Sequence, residues 1–233
     1  MTSSTSVEAA ARDAIAWLKA HGSEANRAGM ARFNIPSDKA FGVPMSDIQR
    51  LAKQLGRHHA LAAELWKSDR YEARTLAPYV EEVELVTAAQ MDRWCTSFDN
   101  WAICDTVCFA LFDRTPHAWD KVAQWAGKEP EYVKRAAFAT LWGLTVHDKA
   151  AADERFAECL QLIEYAASDE RHFVKKAVNM ALRAVGKRNL ALNAEAIATA
   201  QRLAAFSDAA PRWIGKNALT ELNSASVKRR VGR

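Results

Sequence analysis

The chain has 233 residues, 49% of them hydrophobic, with only 9 Gly and 6 Pro. Strands joined by tight turns need more Gly, Asn-Gly and Asp-Gly than this, so the composition argues against a β-rich fold and predicts an all-α protein. The formal charge is only +4, but Lys and Arg are concentrated from Lys175 onward. Clustered positive charge is typical of proteins that bind a polyanion, although a solvated helix face has the same signature.

The sequence carries no membrane or export signal. It has no run of 18 uncharged apolar residues, and "MTSSTSV" lacks the charged and apolar regions of a signal peptide. We therefore expect a cytoplasmic protein with a disordered end at residues 1–6. In that compartment the four cysteines are expected to be free structural thiols, because no second Cys or His pair completes a zinc pattern. These are Cys95, Cys104, Cys108 and Cys159.

Apolar residues recur at helical spacing along most of the chain, and Gly, Pro and capping residues separate the runs. Residues 34–45 contain two prolines and a glycine and are predicted to be a loop. A basic tail is expected at 224–233, and residues 1–233 are interpreted as one domain. The predicted helices are 7–21, 24–33, 45–56, 59–67, 70–82, 87–95, 98–112, 118–127, 130–146, 149–166, 169–187, 190–206 and 208–223.

Four segments align without gaps: "YEARTLAPYV", "YVKRAAFATL", "FVKKAVNMAL" and "WIGKNALTEL". Each opens with an aromatic residue and carries a base three positions later. The pairs are Tyr71 and Arg74, Tyr132 and Arg135, Phe173 and Lys176, and Trp213 and Lys216. The last two intervals are 41 and 40 residues, a period typical of HEAT-like helix pairs. We expect an α-α superhelix whose aromatics pack between layers, with the bases aligned on a concave DNA-binding face.

The stretch "FDNWAICDTVCFALF" (98–112) departs from this repeat. Phe98 takes the place of the aromatic, but Trp101 stands where the other segments have a base, and Asp105 follows one turn later. One interpretation is that Trp101 belongs to the core and Asp105 pairs with a neighbouring Arg. The other is catalytic: a carboxylate near a sugar stabilises the positive charge that develops as an N-glycosidic bond breaks, and Arg135 holds the adjacent phosphate.

At these residues the sequence resembles the AlkD-like DNA alkylation repair glycosylases, which have HEAT-like repeats. The resemblance rests on "FDNWAICDTV", "YVKRAAFATLW" and "DERHFVKKAVNMALRAVGKRN", and extends to "MARF" (30–33) and "FGVPMSDIQRLAK" (41–53). It implies excision of N3- and N7-alkylated purines from duplex DNA, with Trp101, Asp105 and Arg135 as the catalytic and DNA-contacting set. It also implies that the damaged base need not be flipped into a pocket, unlike the general rule for glycosylases.

Two positions depart from the family pattern. Met180 stands where the family commonly has Trp, and Phe33 where it often has Tyr. Met180 keeps apolar volume but loses a stacking face, so the site is expected to be slower, differently selective, or used for recognition alone. Plain core packing is the other interpretation of Met180. Residues predicted to contact DNA are Phe33, Lys134, Lys175, Lys176, Met180, Arg183, Lys187, Arg188, Arg212 and Lys216.

No HExxH, GxxxxGK[ST], GxGxxG or GxSxG motif is present, so we expect no metal and no cofactor. Six of the eight tryptophans lie at core spacing, whereas Trp213 is ambiguous because it opens the last basic helix. The expected partner is double-stranded DNA carrying alkylated bases, bound by a monomer without membrane contact and associated with the nucleoid. Two alternatives stay open: a non-catalytic protein that recognises distorted or branched DNA by its shape, and a protein-binding helical scaffold.

Overall fold

The computed structural model describes residues 4–232, and these fold into 14 α-helices with three short 3₁₀ turns and no strand. The 3₁₀ turns are Met30–Phe33, Val83–Leu85 and Phe112–Arg114. The α-helices are α1 Ser4–Ala20, α2 Glu24–Gly29, α3 Met45–Leu55, α4 His59–Lys67, α5 Tyr71–Val80, α6 Ala88–Thr96, α7 Trp101–Ala110, α8 Ala118–Ala126, α9 Glu131–His147, α10 Asp153–Ala166, α11 His172–Val185, α12 Leu190–Ala204, α13 Ala209–Leu222 and α14 Ala225–Val231.

The helices stack as pairs in two layers. Helix α4 packs on α5, α8 on α9, α10 on α11, and α12 on α13. The second members of the pairs also pack in sequence order, since α5 contacts α7, α7 contacts α9, α9 contacts α11 and α11 contacts α13. This is the all-α superhelix of HEAT-like pairs that the repeat predicts.

Helix α9 lies at the centre of the stack, between α7, α8 and α11. Its middle is fully buried, and most of its buried side chains are small: Ala136, Ala137 and Ala139 surround Phe138. Small side chains let neighbouring helices approach closely. As a result, a long side chain near the start of α9 can reach both α7 and α11.

The periodicity predicts most helices within a few residues of their observed ends, and three differences have physical causes. The predicted helix 98–112 begins only at Trp101, because the Asn100 side chain accepts the Ile103 N–H at 3.0 Å and caps the helix there. Segment 24–33 is split into α2 and a 3₁₀ turn. The expected basic tail forms α14, whose Val227 and Val231 are buried.

The expectation of a disordered end at 1–6 is wrong for residues 4–6, which form the first turn of α1, and residues 1–3 lie outside the described part of the chain. The four cysteines are buried free thiols, as expected, and burial raises the pKa of Cys159 to about 12. Across residues 4–232, every helix is too short or too polar to span a lipid bilayer.

Candidate functional site

A cleft of about 230 Å³ lies where the 3₁₀ turn Met30–Phe33 meets α7, α9 and α11. These elements are far apart in sequence, and the stacking of α7, α9 and α11 brings them together. The lining residues are Phe33, Asn34, Trp101, Arg135, His172, Phe173 and Lys176. Two predicted catalytic residues and two predicted DNA-contacting residues therefore meet at one surface.

A hydrogen bond holds the Trp101 indole at the edge of this cleft. Its indole Nε1 donates a 2.7 Å hydrogen bond to the carbonyl oxygen of Phe33. Asn34 follows with a left-handed backbone (φ 54) and ends the 3₁₀ turn, a conformation that Asn tolerates better than most residues. The contact fixes the indole and leaves the Phe33 side chain 63% exposed.

Asp105 and Arg135 form a bidentate ion pair between α7 and α9. Arg135 donates from Nε to Asp105 Oδ1 at 2.8 Å and from Nη2 to Oδ2 at 2.7 Å. The Asp105 side chain is 16% exposed, and the Arg135 side chain is 6% exposed. The guanidinium also lies 5.8 Å from the centroid of the Trp101 ring, within cation–π range. Arg135 lines the cleft and Asp105 is not among the lining residues, so the pair fixes the carboxylate on the protein side of Arg135.

The two groups shift each other's ionisation in opposite senses. Burial raises the pKa of the Asp105 carboxyl, and the charge and hydrogen bonds of Arg135 oppose that rise. Burial acts to lower the pKa of Arg135, but the charge and hydrogen bonds of Asp105 outweigh it and raise that pKa. Because the bidentate bonds need an anionic acceptor, the geometry describes an ionised Asp105 beside a charged Arg135.

Arg135, which was expected to hold a phosphate, is engaged inside the protein. Its third donor group, Nη1, gives a 2.6 Å hydrogen bond to the carbonyl oxygen of Phe173, so all three nitrogens are used inside the protein. Its guanidinium thereby links the Asp105 carboxylate of α7 to the backbone of α11. Lys134, also predicted to contact DNA, is nearly buried and pairs with Asp169 at 3.1 Å.

The expected row of bases is only partly exposed. Arg74 is 12% exposed at its side chain and pairs with Asp69 at 2.8 Å, and Arg135 is buried as described. Lys176 and Lys216 are exposed. The first two bases of the repeat are therefore paired with carboxylates, Asp69 on a loop and Asp105 on α7, and only the last two are exposed.

Three more bases predicted to contact DNA have partners within the protein. Arg183 and Lys187 both bind the carboxylate of Glu221. Arg188 donates to the carbonyl oxygens of Thr145 and Asp148 at 3.0 and 3.1 Å, where α9 ends. Arg188 is a structural residue that satisfies the C-terminal end of α9.

The remaining predicted DNA contacts lie on α11 and α13. Lys175 is half-buried, whereas Arg212 is exposed and donates to the carbonyl oxygen of Ser207 at 2.6 Å. Met180 is half-buried and packs against the core, so its side chain is at least partly a core residue. It stands one helical turn beyond Lys176 on α11.

Sequence reasoning missed two parts of this site. It did not single out Asn34 and His172, which line the cleft, or the Phe173 carbonyl that receives Arg135. An Asn directly before Ile-Pro is a turn signal that could have identified Asn34. No sequence signal points to one particular backbone carbonyl.

The fold and the site together define a HEAT-like helical-repeat protein with an Asp–Arg pair and an indole at an open cleft. The family model of the DNA alkylation repair enzymes matches residues 14–222. The chain belongs to that family. No curated protein matches the sequence.

A similar solved structure belongs to a family described as related to the HEAT-like repeat DNA glycosylases, with affinity for branched DNA structures. It is 19% identical, covers 95% of this chain and 95% of its own, and superposes with a TM-score of 0.79. At this identity the likeness concerns the fold. A second structure, of an engineered protein, is 16% identical over 97% of this chain and 95% of its own, with a TM-score of 0.37 too low to bear on the fold.

Proposed function

We propose that the protein is a DNA glycosylase that excises positively charged N3- and N7-alkylpurines from duplex DNA. The observation that carries this proposal is the Asp105 carboxylate, held in a bidentate pair by Arg135 beside the cleft that Trp101 lines. Membership of the DNA alkylation repair enzyme family supports the same chemistry.

The proposed reaction is hydrolysis of the N-glycosidic bond. The oxygen of a water molecule bonds to the anomeric carbon, the carbon–nitrogen bond breaks, and its electron pair neutralises the cationic purine. One of the two protons on the water oxygen passes to solvent, and the other remains in the hydroxyl group of the sugar. Because the alkylated base is already positively charged, it leaves without protonation, and the site needs no general acid.

Each residue has one role in this scheme. Asp105 stabilises the positive charge that develops on the sugar and orients the attacking water. Arg135 keeps the carboxylate ionised and fixed without touching the DNA. Trp101 offers an indole face to the sugar and the cationic base. The backbone contacts come from bases without a carboxylate partner among the described residues, namely Lys175, Lys176, Arg212 and Lys216.

The test is release of free base from methylated duplex DNA. Wild-type protein in excess should liberate 7-methylguanine or 3-methyladenine, and Asp105→Asn should reduce the rate by about a hundredfold or more. Asp99→Asn is the matched control, because Asp99 is an exposed carboxylate on the loop before α7 and lies outside the cleft. Thermal unfolding of each variant separates lost chemistry from lost structure.

A second candidate is recognition of branched or distorted DNA without excision. The observations that favour it are the neutralisation of Asp105 by Arg135, Met180 in place of the family's Trp, and the affinity for branched DNA of the structurally similar family. It predicts no release of base, salt-dependent binding with a preference for branched substrates, and identical behaviour of wild type and Asp105→Asn.

A further inference from the structure

Trp213 differs from the aromatics at the equivalent positions of the repeat. Tyr132 and Phe173 pack against each other with ring centroids 5.9 Å apart. Trp213, in the first half of α13, is 37% exposed, and its indole Nε1 donates no hydrogen bond among residues 4–232. An indole combines a large apolar face with an N–H donor, so a partly exposed Trp213 leaves both a stacking surface and a free donor at the protein surface.

Two ammonium groups lie over this indole. Lys175 Nζ is 5.2 Å and Lys176 Nζ is 5.9 Å from the ring centroid. Within the described residues neither lysine has a carboxylate partner, whereas the nearby Lys134, Arg183 and Lys187 are all paired. Two ammonium groups close together repel each other, and a bound anion would stabilise both.

This platform, defined as Trp213 with Lys175 and Lys176, is continuous with the candidate active site. Lys176 contributes to the platform and also lines the cleft with Trp101 and Phe33. Arg212 and Lys216, exposed one residue before and three after Trp213, add positive charge on α13. A DNA strand that extends from the cleft past Lys176 would therefore contact the Trp213 ring and the positively charged side chains around it.

We propose that this platform binds an unpaired nucleotide where a single strand leaves the duplex. The base stacks on the exposed part of the indole, and the phosphates on either side of the base bind the ammonium groups of Lys175 and Lys176. A paired base inside a duplex has no free face to offer, so the platform selects a junction between duplex and single strand. The proposal rests on the proposed DNA-binding function and assigns a separate residue set to branched DNA.

The experiment compares binding of a blunt duplex with binding of the same duplex carrying a short single-stranded arm, by fluorescence anisotropy. Wild type should bind the armed duplex more tightly. Trp213→Leu should weaken that binding about tenfold and leave the blunt duplex within about twofold, whereas Trp213→Phe should keep most of the preference. Tyr165→Leu is the control, because Tyr165 is 77% exposed on α10 and absent from the platform; it should bind both probes as wild type does.

A wild-type measurement makes the test independent of how the variants fold. Photocrosslinking of an arm that contains 5-iodouracil, followed by peptide mapping, should place the adduct on the peptide that contains Trp213. An adduct only elsewhere, or a Trp213→Leu protein that binds both probes as wild type or loses both equally, would overturn the platform. Failure of the proposed glycosylase is a separate result, since it appears as absent base release whatever the arm does.

Discussion

At the scale of single residues, the Asp105–Arg135 pair joins two interpretations that the sequence presents as alternatives. Asp105 does pair with an arginine, and that arginine also lines the cleft. A buried carboxylate without a partner is costly, and the bidentate arginine offsets part of that cost. The ion pair that lowers the cost of placing Asp105 in an apolar helix also fixes the orientation of its carboxylate.

Replacing Arg135 with lysine tests this positioning role. Lys keeps the positive charge but cannot form two parallel hydrogen bonds, so the carboxylate loses its fixed orientation. We expect Arg135→Lys to lower the single-turnover rate of base release by about ten- to a hundredfold and to change duplex affinity by less than about twofold. A variant that loses affinity and keeps its rate would instead assign Arg135 to a phosphate.

At the scale of elements, the close approach of α9 to the 3₁₀ turn Phe112–Arg114 depends on Gly143. A Cβ added at Gly143 would lie 2.7 Å from Asp113 Cβ, closer than real contacts allow. We expect Gly143→Ala to lower the free energy of unfolding by about 1–3 kcal/mol in denaturant titrations. Gly127→Ala is the matched control, because nothing lies within 4 Å of its added Cβ; an equal loss in both variants would contradict this account.

Asp113, which packs against Gly143, also leads to a prediction about how stability depends on pH. Burial raises the pKa of Asp113 from 3.8 to about 6, while hydrogen bonding to His147 opposes the rise. At Asp113 the folded state therefore binds a proton more tightly than the unfolded state, so this residue should contribute increasing stability as pH falls from 7 towards 4.5. Relative to Asp113→Asn the gain should be about 2 kcal/mol. A flat difference between the two unfolding curves, or one of opposite slope, would contradict it.

The helices that could be predicted from the sequence are those marked by apolar periodicity and by capping residues. Helices such as α9 and α11 follow from apolar spacing alone, and Asn100 as a cap could have placed the start of α7. The reduced basic row could not be predicted in the same way. Arg74 meets Asp69 and Arg135 meets Asp105 through tertiary contacts that depend on loop paths and on the packing of α7 against α9.

At the scale of the whole molecule, the small net charge does not show which Lys and Arg side chains are bound within the fold and which are free to contact DNA. Among the bases predicted to contact DNA, several bind partners within the fold, namely Lys134, Arg135, Arg183, Lys187 and Arg188. Within residues 4–232 the others have no carboxylate partner and are available to phosphates, namely Lys175, Lys176, Arg212 and Lys216. Lys176→Gln and Lys216→Gln should each reduce the slope of log affinity against log salt by roughly one for duplex DNA. Lys187→Gln should leave the slope unchanged, because Lys187 binds Glu221. Equal slopes for all three variants would contradict this division.

We propose that the Asp105–Arg135 pair makes this HEAT-like protein a glycosylase. The most direct test is a single-turnover assay that separates free base from methylated duplex DNA, with wild type and Asp105→Asn side by side. We predict release of 7-methylguanine or 3-methyladenine by wild type, and at least about a hundredfold less by a folded Asp105→Asn protein. No release above background by wild type, at protein excess over bound DNA, would contradict the claim and leave recognition of branched DNA as the function.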